Sequence, residues 1–192
     1  MHVSLPISSV IPSVEGAVFQ ALSRSTEPMS LSQIHRLIDG LSMSGVRKTL
    51  VNLVDVGVVL AAGSPPRYAL NRDHLAFPAI EHLASMRVLL FERIRDLVAE
   101  WESGVELVGV FGSMARQTGD ADSDVDLLVV ATPSEDELVG LVESVQLWTG
   151  NETNVVVLSV DEYERVLRSS DAIAAEWDRD LIVLHRNSKV EF

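Results

Sequence analysis

Phe111-Gly-Ser-Met-Ala-Arg-Gln-Thr-Gly-Asp-Ala-Asp-Ser-Asp-Val-Asp-Leu-Leu-Val-Val130 is the stretch on which the reading of this chain turns. It begins at the end of one apolar run, Val105–Phe111, and ends inside another, Val125–Ala131, both of strand length. A strand that closes in Gly-Ser and passes at once into a short helix, here Ser113–Arg116, presents unpaired backbone N–H groups and the positive end of a helix dipole. Such a corner is a seat for phosphate. Gly112 has no side chain to hold an anion off the backbone. Ser113 adds a hydroxyl donor, and Arg116 brings a permanent positive charge one turn along.

Asp124 and Asp126 follow. Residues two apart on a strand share a face, with alpha carbons roughly 6.5–7 Å apart, so both carboxylates can converge on one cation or a pair of them. Left bare, they repel. Oxygen-only ligands favour Mg²⁺ or Mn²⁺, and magnesium commonly takes one or two carboxylates together with substrate phosphates. A phosphate cradle beside a divalent cation is the minimum equipment for in-line phosphoryl or nucleotidyl transfer.

Gly112-Ser113-x-Ala115-Arg116, a spacer, and Ser123-Asp124-x-Asp126-Leu127 resemble the signature of the polymerase-beta-like nucleotidyltransferase superfamily, its minimal members in particular. The resemblance runs from about Val105 to the C-terminus. It implies metals on Asp124 and Asp126, and NTP phosphates on the Gly112-Ser113 loop, with Arg116 and Ser123 completing the candidate nucleotide site. An acceptor hydroxyl then attacks the α-phosphorus and pyrophosphate leaves. Two departures stand out. Gln117 occupies a position where the family has glycine. On the strand Glu152-Thr-Asn-Val-Val-Val-Leu158, Asn154 falls where the resemblance implies a third carboxylate, and an amide is a poor metal ligand and no base. Glu152 shares a face with Asn154 by alternation and is the candidate substitute, so the catalytic set expected is Asp124, Asp126 and Glu152.

Upstream, Ser13–Leu22 carries apolar residues at helical spacing, and Ser30-Leu-Ser-Gln33 reads as a capping box for a helix ending at Gly40. A further helix, Ser44–Val54, is followed by two strand-like runs, 58–61 and 67–70, on either side of Gly63-Ser-Pro-Pro66. This order resembles a winged helix-turn-helix, in which 44–54 is the recognition helix. Its outward residues Ser44, Arg47, Lys48 and Asn52, with Arg67 on the hairpin, are the candidate DNA contacts. Asp73–Trp101 reads as one long helical stretch that links the modules and could carry a homodimer contact. Downstream, helices at 135–148, 161–167 and 171–177 alternate with strands at 154–159 and 181–185. The fold class expected is α/β (α+β): a winged helix-turn-helix over 1–75, a linking helix over 76–102, and a small mixed-sheet nucleotidyltransferase fold over 103–192.

Charge divides along the same line. Residues 1–75 hold six basic and five acidic side chains, a balance of +1, so the remainder carries −14 and the whole chain a net charge of −13. Such an acidic chain does not coat nucleic acid indiscriminately, whereas two modules with different partners fit the asymmetry. With 47% hydrophobic residues a packed core is expected. The absence of cysteine removes disulfides, thiolate zinc sites and cysteine nucleophiles together and fits the cytoplasm. No apolar run is long enough to span a membrane, and the first residues lack a signal peptide's basic and apolar regions. The function expected is transfer of a nucleoside monophosphate from an NTP to a hydroxyl acceptor with Mg²⁺, beside a DNA-binding module. The alternative is a winged-helix regulator whose second domain only senses nucleotide or is catalytically inactive.

Overall fold

The computed structural model describes residues 1–38, 40–169 and 172–187. They form two compact units, one of Leu5–Met86 and one of Met1–Ser4 with the chain from Arg87 onward.

The first unit runs from a 3-10 turn at Pro6–Ser9 through α1 (Val14–Ser23), β1 (Met29–Ser30), α2 (Leu31–Arg36), α3 (Met43–Asp55), β2 (Val59–Ala62), β3 (Arg67–Leu70) and α4 (Phe77–Ala84). The capping box at Ser30 is reciprocal: its hydroxyl accepts from the Gln33 N–H, and the Gln33 side chain accepts from the Ser30 N–H. Two orphan donors are thereby satisfied where α2 begins. The helix ends at Arg36, ahead of Gly40, and α3 is capped by Ser42 instead of starting at Ser44. Val46, Leu50 and Leu53 form the buried stripe of α3, against Val18 and Leu22 of α1 and Ile34 of α2. The hairpin β2–β3 gains a third strand not anticipated from sequence, since β1 is only two residues long. It pairs antiparallel through Met29 and Tyr68, giving the order β1-β3-β2. The stretch 73–101 is not continuous: α4 ends at Ala84, Ser85 intervenes, and α5 spans Met86–Ala99.

In the second unit, β4 (Val105–Phe111), α6 (Gly112–Arg116), β5 (Val125–Ala131), α7 (Glu135–Thr149), β6 (Thr153–Leu158), α8 (Val160–Arg168), α9 (Ala172–Asp180) and β7 (Ile182–Arg186) follow in turn. Asp171, where the sequence starts the last helix, lies outside the described residues. The sheet has the order β6-β5-β4-β7, with β5 and β6 parallel and the other pairs antiparallel. It is the mixed sheet expected.

Alternation along β5 explains its unbroken apolar run. Val125, Leu127, Val129 and Ala131 pack in one cluster with Ile94 of α5 and Leu141 and Val145 of α7. Leu128 and Val130 pack in another with Tyr163 of α8 and Trp177 of α9. A strand buried on both faces needs apolar residues at every position. The two aspartates share the parity of Leu128 and Val130, so they emerge on the α8–α9 side.

Candidate active site

Asp126 sits near the start of β5, half-buried, paired across the sheet with Phe111 on one side and Asn154 on the other. Asp124 stands two residues earlier, just outside the strand. The two carboxylates converge. Asn154 Nδ2 donates to Asp124 Oδ2 at 3.0 Å and to Asp126 Oδ1 at 3.1 Å, so one oxygen of each acid lies within hydrogen-bond distance of a single atom. An open cleft here is lined by Gly112, Ser113, Arg116, Ser123, Asp124 and Asp126, which brings six of the sequence-chosen residues together. Glu152 is not among them. Strand β6 begins only at Thr153, and the Glu152 side chain is exposed ahead of it. Besides the paired aspartates, Asp122 of the loop and Glu176 of α9 line the cleft, and the sequence reading placed Glu176 only within a helix.

The Gly-Ser corner is built around Gly112, whose φ of 69° lies in the left-handed region. A Cβ placed there would collide with Asp126 Oδ2, so the glycine supplies both the turn and the room for a carboxylate. The α6 helix is five residues long and ends at Gln117, with φ 57° and ψ 40°. That conformation favours glycine and costs another residue about 1–2 kcal/mol, which is the physical meaning of the departure at this position.

The loop into Asp124 is held by residues that sequence reasoning missed. Gly119 is buried where a Cβ would stand 2.8 Å from both the Ser113 and the Ser123 hydroxyl oxygens. Ser123 Oγ accepts from the Asp120 N–H and donates to Asp120 Oδ1, both at 2.9 Å, so this hydroxyl serves the turn. Buried Asn151 donates from Nδ2 to the carbonyls of Ala121 at 3.0 Å and Ser123 at 2.9 Å, which fixes the entry to β5. In sequence Asn151 shows only as a turn residue after Gly150.

Residues 91–174 match the family described as Nucleotidyltransferase domain, and residues 15–60 match Helix-turn-helix domain. The chain joins a helix-turn-helix domain to a nucleotidyltransferase domain. A solved structure described as a toxin-antitoxin with AMP-PNP is similar at 17% identity and a TM-score of 0.39, over 52% of this chain and 75% of that one. No curated protein matches.

In the nucleotidyltransferase domain Arg116 is not free to face the cleft alone. It donates to Glu176 Oε1 at 2.7 Å and to Asp180 Oδ2 at 2.9 Å, both on α9. Trp177 anchors that helix by packing edge-on against Phe111, with ring centroids 6.0 Å apart, and beside Tyr163 at 5.9 Å. Asp180 also accepts from Arg179 at 2.8 Å. The Arg179 and Arg116 guanidinium groups together hold its carboxyl at about 2. Burial pushes the Asp126 carboxyl above its ordinary value. The Asn154 amide opposes the rise, Asp124 and Glu176 add to it, and Arg116 opposes it weakly.

The donor set can be tested against a divalent cation. Among the described residues no group of three or more His, Asp or Glu could hold a metal. What the domain offers is two convergent carboxylates, the number magnesium takes when phosphates and water complete its octahedron. The residues therefore fit one cation bound together with a nucleotide and do not form an all-protein cage.

On the helix-turn-helix domain Ser44, Arg47, Lys48 and Asn52 are all exposed and line one shallow surface on α3, together with Met43 and Val51. Arg67 is engaged elsewhere. Its guanidinium donates to the Pro28 carbonyl through Nε at 2.9 Å and through Nη2, tying β3 to the residue before β1.

Proposed function

We propose that this chain transfers a nucleoside monophosphate from an NTP to a hydroxyl acceptor, and that its helix-turn-helix domain docks on DNA. The observation that supports transfer is the convergence of Asp124 and Asp126 on one point beside the Gly112-Ser113 corner. These two residues would hold Mg²⁺ or Mn²⁺, which when bound supplies Lewis-acid neutralisation of the triphosphate. Gly112 and Ser113 receive phosphate oxygens. Arg116 binds the same phosphates by exchanging Glu176 and Asp180 for them, a like-for-like swap of anionic partners. The acceptor oxygen attacks the α-phosphorus, the α–β anhydride bond breaks, and pyrophosphate leaves with the electron pair. Glu176, which lines the cleft where Glu152 does not, receives the hydroxyl proton.

Incubation with α-labelled NTP and Mg²⁺ should label an acceptor, γ-labelled NTP should not, and a chelator should stop the reaction. Label transfer that persists undiminished in chelator would overturn the proposal. Asn154 in place of an acid favours a second reading, a regulator that binds nucleotide without transferring it. NTP binding with no label moved from either position would select that reading.

For DNA, α3 offers two cations, two polar groups and the apolar Met43 and Val51 on one exposed face. This mixture suits phosphate oxygens, base edges and thymine methyls in a major groove. A homodimer would match a two-fold operator, and DNA and NTP would meet in the cytoplasm; among the described residues no helix is long and apolar enough to cross a membrane. Replacing both Arg47 and Lys48 with Ala should weaken duplex binding and reduce the slope of log K against log salt by about two. An unchanged slope would remove this face from the interface.

A further inference from the structure

Two carboxylates brought to one point must be neutralised by a proton, a cation or a hydrogen-bond donor. In this protein the donor is part of the chain. Strand β6 runs parallel to β5 with Asn154 in register with Asp126, and that register puts both side chains on one face of the sheet. The Asn154 amide carries two N–H bonds on one nitrogen, and that nitrogen lies 3.0 Å from Asp124 Oδ2 and 3.1 Å from Asp126 Oδ1. The Arg116 guanidinium is instead paired with Glu176 and Asp180.

We propose that Asn154 is a built-in surrogate for the metal: it keeps the paired aspartates organised without a cation and competes with a cation for the same oxygens. The idea rests on reading Asp124 and Asp126 as a cation site. Its consequence is that a cation binds weakly alone and enters with the nucleotide, whose phosphates supply the missing ligands. A direct ligand role for the Asn154 carbonyl makes the opposite prediction, so the two can be separated by one substitution.

The experiment measures Mn²⁺ binding to the full chain by calorimetry, with melting followed in chelator and in saturating Mn²⁺. Removing the competing donor in Asn154→Ala should tighten Mn²⁺ binding by about tenfold, since a hydrogen bond to a charged group contributes on that scale. The same variant should melt lower than the parent in chelator and recover in Mn²⁺. Asn154→Asp should bind Mn²⁺ more tightly again and melt lowest in chelator, having three acids where the parent has two. If Asn154→Ala binds Mn²⁺ no more tightly than the parent, the surrogate role is overturned. Should the variants fail to fold in chelator, the parent protein gives the answer by NMR. The Asn154 side-chain amide protons should be protected from solvent exchange without cation and lose protection when Mg²⁺ and α,β-methylene-ATP are added together; unchanged protection refutes the proposal. If parent and variants all fail to bind Mn²⁺, with or without the nucleotide analogue, the cation-site reading itself falls, and this inference with it.

Discussion

Asp126→Asn should lower Mg²⁺-dependent label transfer by about a thousandfold and leave the protein at least as stable as before. The loss follows from charge. Removing one of two carboxylates takes away half of the anionic ligand set, and about 4 kcal/mol of transition-state stabilisation corresponds to that factor. The retained stability follows from burial. Asp126 is half-buried beside Asp124, and folding raises its carboxyl above the ordinary value of 3.8. An acid whose folded value is raised contributes most below its unfolded value, and that contribution is lost as pH rises through the folded value. At neutral pH the ionised Asp126 therefore works against folding, and an isosteric amide removes that burden while its Oδ1 still accepts from Asn154. A melting curve at pH 7 and a transfer assay on the same sample check both halves. A variant that melts well below the parent, or transfers label at the parental rate, would contradict this account of Asp126.

Gly112→Ala should damage stability and activity together. A left-handed φ costs an L-residue about 1–2 kcal/mol, and the new methyl meets the Asp126 carboxylate, whose Cβ is fixed by the sheet. For a domain of about a hundred residues a fall in Tm of roughly 5–10 °C corresponds to such a cost. Transfer should fall as well, because the displaced carboxylate no longer converges with Asp124. The two causes separate in a double variant. With Asp126→Ala in the same chain the collision is gone and only the backbone cost remains, so part of the lost Tm should return. Strict additivity of the two single changes would show that the side chains do not meet.

The limits of β3, β4 and β5, the Ser30 capping box and the Gly-Ser and Asp-x-Asp motifs were legible in the sequence because each depends on local chemistry: periodicity, a capping hydroxyl, or carboxylates two residues apart, although Asp124 stands just ahead of β5. Such signals lie within a few positions of one another. The mixed α/β class was legible for the same reason, from the order in which the periods change. Beyond that reach the sequence was silent or pointed elsewhere. The two-residue strand β1 is too short to have a period and exists because Met29 finds Tyr68. Glu152 was chosen by parity along β6, but it stands outside the strand, and the glutamate that lines the cleft is Glu176, on the helix whose Trp177 packs on Phe111. Arg67 was chosen as a DNA contact, and its hydrogen bonds to the Pro28 carbonyl are contacts that only the fold supplies.

By itself, then, the sequence determined that the paired aspartates and the glycine corner would lie close together, since those groups are near one another along the backbone. Only the tertiary structure decided what surrounds them: the amide of Asn154 between the two acids, Arg116 held by α9, and Asn151 pinning the loop. Each of these depends on strand register or helix docking, which bring together side chains about 30 to 65 positions apart, and no local pattern encodes a contact at that separation.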